Sequence, residues 1–187
     1  MNISITGHTK GIGFALKTYF ESQGHTVIGF SRANGYDITN LECIEQIISQ
    51  SKDCDVFINN AYAVNGQTLL LEKMINEWNH TTKTIINLNS KTTLIPKANV
   101  PEFLKEYVDE KLKQKEIILS RVFKARPHLC NVTVGLVETE MSTVFNAKKI
   151  NPADLAKFIY TLIEFKDQIA VQDILIEVPD LDWNEIE

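Results

Sequence analysis

"NISITGHTKGIGFAL", Asn2 to Leu16, decides the fold. Its first residues alternate through apolar Ile3 and Ile5 and stop at Thr6-Gly7, as a short strand does. Gly11 and Gly13 follow, and Ile12, Leu16, Tyr19 and Phe20 then share one helical face. Three glycines where a strand hands over to a helix have a physical use. The first allows the sharp turn, the second lets backbone approach a pyrophosphate, and the third lets the helix pack close to the strand. The phosphate then meets free N–H groups at the positive end of the helix. Gly7, Gly11 and Gly13 suit those jobs, although any tight strand-to-helix turn also uses glycine.

Outward from this stretch the chain alternates. Runs rich in Ile, Val, Thr and Phe predict strands over Asn2–Thr6, Thr26–Ser31, Asp55–Asn59, Thr84–Asn89, Asn131–Val137 and Ile174–Val178. Helical periodicity predicts helices over Ile12–Gln23, Leu41–Gln50, Leu69–Trp78 and Glu102–Phe123, and one opening at Pro152 ahead of Leu155, Phe158, Ile159 and Leu162. Strands alternating with helices read as a doubly wound parallel sheet of about six strands with helices on both faces. No internal repeat, low-complexity tract or linker interrupts the pattern, so residues 1–187 are expected to form a single domain.

Composition bounds the function. Apolar residues make up 44% and charged residues 23%, the profile of an ordinary globule. A net charge of −5 argues against a nucleic-acid surface. No apolar run approaches the roughly 18 residues of a membrane span. Met1-Asn2-Ile3-Ser4 has no charged region leading into an apolar core, so neither a signal peptide nor a membrane partner is expected. Cys43, Cys54 and Cys130 lack paired spacing, which fits buried thiols in a reducing, cytoplasmic setting. His8, His25, His80 and His128 show no ligand spacing, and no metal is expected.

The spacing Thr6-Gly7-x-x-x-Gly11-Ile12-Gly13 resembles the TGxxxGIG loop of the short-chain dehydrogenases/reductases. "CDVFINNAY", Cys54 to Tyr62, is similar to the family's D-v-l-v-N-N-A-G segment, with Asp55, Asn59, Asn60 and Ala61 matching and Tyr62 in place of glycine. "TIINLNS", Thr84 to Ser90, resembles the strand that ends in the catalytic serine. "YVDEK", Tyr107 to Lys111, is the YxxxK signature, and "VGLVETEM", Val134 to Met141, is similar to P-G-x-V-x-T with Val134 replacing proline. The motifs occur in the family's order over roughly residues 1–165. The chain is shorter than a typical member. "SRANGYDITN" runs almost straight to Asp37, so the intervening helix and most of an edge strand are expected to be absent. The segment after Tyr62 and the pocket-forming tail are also abbreviated, and the gap from Ser90 to Tyr107 is long, with "TTLIPKANVPE" filling it as a loop.

The resemblance implies a Rossmann-like fold and a carbonyl/alcohol oxidoreductase. Ser90 would hold the substrate carbonyl oxygen, Tyr107 would pass the proton, Lys111 would hold the nicotinamide ribose, and Asn65 would hold a water linking the lysine to solvent. Thr6, Gly7, Gly11, Ile12, Gly13, Asn60 and Ala61 would form the cofactor cradle, Asp37 and Ile38 the adenine edge, and Thr139 the carboxamide contact. A homo-oligomer, dimer or tetramer, is also implied. The chemistry is reasonable in magnitude. Lowering a tyrosine pKa from about 10 to about 7 needs roughly 4 kcal/mol. One ammonium at about 4 Å supplies that much at an effective dielectric near 20.

Cofactor choice follows from charge. NAD enzymes place an acid at the end of the second strand, whereas arginine accommodates a 2′-phosphate. Here Ser31 stands in the acid's place, Arg32 follows it, and Lys10 precedes Gly11, so NADP(H) is expected. The expected function is NADPH-dependent reduction of a small-molecule carbonyl, or oxidation of the corresponding alcohol. Two alternatives stay open: a non-catalytic, redox-responsive dinucleotide-binding regulator, and an NAD(P)-dependent sugar-nucleotide reductase or epimerase. Glu140–Ile150 is expected to form a short lid helix with Met141, Val144 and Phe145 on one face. The acidic tail around Leu181, Trp183 and Ile186 is expected to be a solvated end anchored by the tryptophan, with a subunit contact as its alternative.

Overall fold

Six parallel strands pair in the order β2-β1-β3-β4-β5-β6. They are β1 (Asn2–Thr6), β2 (Thr26–Phe30), β3 (Val56–Asn59), β4 (Thr84–Ser90), β5 (His128–Val134) and β6 (Asp173–Ile176). Crossover helices join them: α1 (Gly11–Ser22), α2 (Leu41–Ser51), α3 (Gly66–Glu77), α4 (Lys105–Arg121) and α5 (Pro152–Glu164). The structure is a computed structural model that describes residues 1–121 and 127–179. The expected end of the fourth helix at Phe123 and the tail with Leu181, Trp183 and Ile186 lie outside the described residues. The sheet is Rossmann-like, and its strand order reverses at β1, with β2 on one side and β3 on the other. Open α/β sheets bind ligands in the crevice at that point. Among the described residues β2 is one edge of the sheet and β6 the other, and one 3-10 turn, Arg32–Asn34, leads from β2 to Asp37.

Period-two alternation divides the core. Ile3, Ile5, Val56, Ile58, Ile86, Leu88 and Val132 pack with Leu16 and Phe20 of α1 and Leu155, Ile159 and Ile163 of α5. Phe57, Ile85 and Leu129 pack against the other layer, with Ile44 and Ile47 of α2, Leu70, Leu71 and Met74 of α3, and Ile118 of α4. Continuing along β3, β4 and β5 by twos, this second face carries Asn59, Asn87, Asn89 and Asn131. The α2–α3–α4 side is therefore oily under one half of the strands and polar under their C-terminal half.

Caps explain most helix boundaries. Asn40 accepts the Glu42 N–H at 2.8 Å to start α2, and Asn151 accepts the Ala153 N–H at 2.8 Å ahead of Pro152. Helix α3 starts at Gly66, earlier than its apolar periodicity at Leu69 indicates. The buried Glu110 carboxylate of α4 accepts from the Asn65 N–H at 3.0 Å, the Thr68 N–H at 3.4 Å and the Thr68 hydroxyl at 2.9 Å. An anion at the positive helix end stabilises that extra turn. Helix α4 begins at Lys105 rather than Glu102, behind a 3-10 turn over Glu102–Leu104. Strand β5 lies earlier than expected because His128 pairs in register with Thr84, and the chain leaves the sheet after Val134.

Candidate active site

The glycine loop is built by close approach. Gly7 has φ 71°, and a Cβ on Gly13 would stand 2.2 Å from the Gly7 carbonyl oxygen, so α1 packs on the turn only without a side chain there. Thr6 ties this loop to the end of β3. Its hydroxyl oxygen accepts from the Asn60 and Ala61 N–H groups, each at 3.0 Å, and the Asn60 amide donates to the Thr6 carbonyl at 2.9 Å. Ile12 packs against the core beside them. Among the described residues the first turn of α1 has no side-chain cap from its N-cap residue Lys10, and it holds no acidic residue, whereas α2, α3 and α5 are all capped. Open N–H groups without a competing carboxylate fit the pyrophosphate of a dinucleotide.

The adenosine corner is less regular. Ser31 is buried, and its N–H and hydroxyl both donate to Asn34 Oδ1, at 2.7 and 3.0 Å. Arg32 is exposed at the start of the 3-10 turn. Asp37 accepts from the Thr39 N–H and hydroxyl, and those bonds, with the Arg32 charge beyond them, hold its pKa below the ordinary carboxylate value. Ile38 is buried, its carbonyl packed against Gly66. Lys10 forms an exposed ion pair with Glu140 at 3.0 Å, joining the glycine loop to the segment after β5. Thr139 lies over the same loop, its Cγ2 3.2 Å from where a Cβ on Gly11 would sit.

At the end of β4 the structure brings Ser90, Tyr107 and Lys111 together. The long gap between Ser90 and Tyr107 is not an open loop. It holds 3-10 turns over Lys91–Leu94, Lys97–Asn99 and Glu102–Leu104, with Pro96 and Pro101 as the residues before the second and third. Ser90 Oγ accepts from the Thr92 N–H at 3.3 Å and the Thr92 hydroxyl at 2.9 Å, which leaves its own proton free to donate. Tyr107 is half-buried beside Ser90. Burial raises its pKa above the ordinary value, and Ser90 opposes that rise. Lys111 does not bring the phenol down here: its Nζ is 5.7 Å from the Tyr107 ring centre, and burial pushes the lysine itself down to about 7, against the charge of Glu110. Tyr62 packs edge-on against Tyr107, ring centres 4.8 Å apart.

Asn65 stands at the start of α3 with φ 60°, and its backbone N–H binds Glu110. The side chain that meets Lys111 is Gln67, whose Oε1 accepts from Nζ at 2.7 Å, while the Leu88 carbonyl accepts a second Nζ–H at 2.8 Å. Sequence reasoning missed Gln67, Glu110 and Thr92. Each is an ordinary polar residue far from the motif it supports, or outside any motif, and nothing in its spacing signals a role.

The segment after Thr139 is a 3-10 turn, Glu140–Ser142, and not the expected helix. Ser142 N–H bonds back to the Thr139 carbonyl at 3.0 Å, and Ile150 rejoins the body through bonds to Leu136 and Glu138. Between these ends Met141 and Val144 are 84% and 81% exposed, so they do not pin the segment to the core.

The family model described as the NAD dependent epimerase/dehydratase family matches residues 3–92. No curated protein matches the sequence. Among solved structures, a 3-alpha-hydroxysteroid dehydrogenase from Pseudomonas sp. B-0831 complexed with NADH superposes with a TM-score of 0.78 at 18% identity, covering 95% of each chain. A short chain dehydrogenase from Burkholderia cenocepacia J2315 in complex with NADP gives 0.77 at 18% identity, covering 95% of this chain and 88% of that one. A serine dehydrogenase complexed with NADP+ gives 0.76 at 16% identity, covering 94% of each chain. Strand order, the glycine loop at the sheet's switch point and these superpositions agree: the chain has the fold of the short-chain dehydrogenases/reductases.

Proposed function

We propose that this protein is a nicotinamide-dinucleotide-dependent oxidoreductase that reduces a carbonyl of a small molecule, or oxidises the corresponding alcohol. The convergence of Ser90, Tyr107 and Lys111 at the C-terminal end of β4 carries this reading. When bound, the dinucleotide supplies the hydride. Ser90, its oxygen already satisfied by Thr92, donates its proton to the substrate carbonyl oxygen and polarises it. Tyr107, kept protonated at neutral pH by burial, delivers the proton that completes the alcohol. Lys111 presents its remaining Nζ–H toward the ribose. Exposed Phe103, Met141, Val144 and Phe145 on the segments flanking the site favour an apolar substituent on that carbonyl. The test is NADPH binding by fluorescence, then oxidation over a carbonyl panel weighted to apolar ketones and aldehydes. Binding without turnover on any member supports a regulator instead.

The match to the NAD dependent epimerase/dehydratase family supports a second reading, a sugar-nucleotide reductase or epimerase. Nucleotide-sugars therefore belong in the panel, and turnover confined to them selects it.

NADP(H) is the proposed cofactor, because Lys10 and Arg32 flank the adenosine corner and Ser31 is uncharged. The Lys10–Glu140 pair is exposed and worth at most about 1 kcal/mol, so Lys10 can exchange it for a phosphate. Arg32→Ala and Lys10→Ala are each expected to weaken NADPH by about 1.5–3 kcal/mol and to leave NADH nearly unchanged. Equal weakening of both cofactors in titrations, or NADH preference in the parent protein, removes the 2′-phosphate assignment.

Glu140–Ile150 is proposed to close over the bound cofactor, hinged at Thr139. Closure would exclude water from the hydride transfer. Hydrogen exchange should show this segment poorly protected alone and protected with NADPH. Equal protection in both states excludes the lid.

A further inference from the structure

Lys111 is held at both ends by a buried amide network. Its backbone carbonyl accepts from Asn89 Nδ2 at 2.9 Å, and its Nζ donates to Gln67 and Leu88 as described. The lysine is 3% exposed and Gln67 is 0% exposed, so no bulk water competes.

Gln67 can face Lys111 in one way. Its Nε2 donates to the Asn59 carbonyl at 2.9 Å and the Leu88 carbonyl at 3.4 Å, so the NH₂ end is committed to two acceptors and Oε1 must turn to the ammonium. Its backbone carbonyl accepts from Asn59 Nδ2 at 3.1 Å. Asn59 also donates to Asn87 Oδ1 at 2.9 Å, Asn87 donates to Asn131 Oδ1 at 3.3 Å, and Asn131 donates to Asp173 Oδ1 at 2.8 Å. These residues are exact cross-strand partners in β3, β4, β5 and β6, a row running across four strands. Asn89 donates into it at Asn131 Oδ1, 3.0 Å away. The row ends in an ion pair, Asp173 with Lys115 at 2.7 Å.

We infer that Gln67 is the positioning residue for Lys111, its side-chain amide oriented by the Asn59 and Leu88 carbonyls and its backbone carbonyl anchored by the amide row across β3 to β6. The inference rests on the catalytic reading of Lys111 given above. An ammonium has three N–H donors. Gln67 and Leu88 take two, which leaves one direction for the third. A packing-only role would require just that the space be filled. The observed arrangement instead gives every polar end of Gln67 a partner.

The other groups facing Lys111 are Glu110 and Tyr107 from α4 and Tyr62 from the loop after β3. The test holds these constant and changes Gln67. In the unsubstituted protein without cofactor, lysine labelled at Cε reports the titration of Lys111, and the side-chain amide of Gln67 should titrate with the same midpoint. Gln67→Glu should move that midpoint upward and carry the alkaline limb of the kcat/KM profile with it. Gln67→Met should lower kcat/KM by about tenfold to a hundredfold through misplacement of the amine. A Gln67 amide that ignores the lysine titration overturns the inference, a measurement that needs no variant to fold. So do Gln67 variants that fold with an unchanged profile while Lys111→Met abolishes turnover. If Lys111→Met keeps full turnover, the catalytic reading fails, and the amide titration still decides whether Gln67 senses the lysine.

Discussion

Tyr107→Phe is expected to keep the fold and the affinity for NADPH while lowering kcat by about 10²–10⁴-fold, the usual loss with a general acid/base. That range corresponds to about 3–5 kcal/mol of barrier. The substitution removes one oxygen from a half-buried ring that packs edge-on against Tyr62, so the ring contact persists. Ser90 keeps its two bonds from Thr92, and Lys111 keeps Gln67 and Leu88. The direction of the Tyr107 shift suits reduction: burial raises its pKa, so the group is fully protonated at neutral pH and can donate. Stopped-flow or steady-state turnover on the best carbonyl from the panel, with NADPH binding measured in parallel, checks it. Near-normal turnover in the variant would mean that Tyr107 is not the donor and that a water or another group delivers the proton.

Lys111→Met is expected to change how stability depends on pH, by an amount readable in denaturant. Burial lowers the lysine from an ordinary 10.5 to about 7 in the folded protein. Between those values the unfolded chain binds a proton at this site that the folded chain does not. Stability therefore rises with pH across that window. Below about 7 both states hold the proton, and the cost of burying it is present in full. Over the whole window the shift corresponds to about 5 kcal/mol, and between pH 7 and pH 9 to about 2 kcal/mol. Methionine fills similar space without a charge. The difference in unfolding free energy, parent minus variant, should thus grow by about 2 kcal/mol from pH 7 to pH 9. Subtracting the variant removes the contributions of other titrating groups, Cys54 and Cys130 among them. A parallel pair of curves would show that Lys111 is charged in the folded protein throughout, held so by Gln67, the Leu88 carbonyl and Glu110.

Local sequence determined the architecture and the order of its parts. Gly7 and Gly13 could be recognised because a tight turn and a helix pressed against a carbonyl exclude side chains, a requirement written in single residues. The alternation of strands and helices was legible because burial on one face imposes a period, 2 in strands and about 3.6 in helices. The four-residue step from Tyr107 to Lys111 placed both on one face of α4 for the same reason. Only the tertiary structure decided what surrounds them. Asparagine is depleted in strands and common in turns and caps, so Asn59, Asn87, Asn89 and Asn131 carry no local sign that they form a row across the sheet. Gln67 lies 44 residues from Lys111, and Glu110 binds the N–H of Asn65, the residue ahead of α3, 45 residues before it. A hydrogen bond between distant residues depends on strand register and on how two helices seat on a sheet. Neither leaves a period in the chain, and so the partners of Lys111 became visible only when the sheet was assembled.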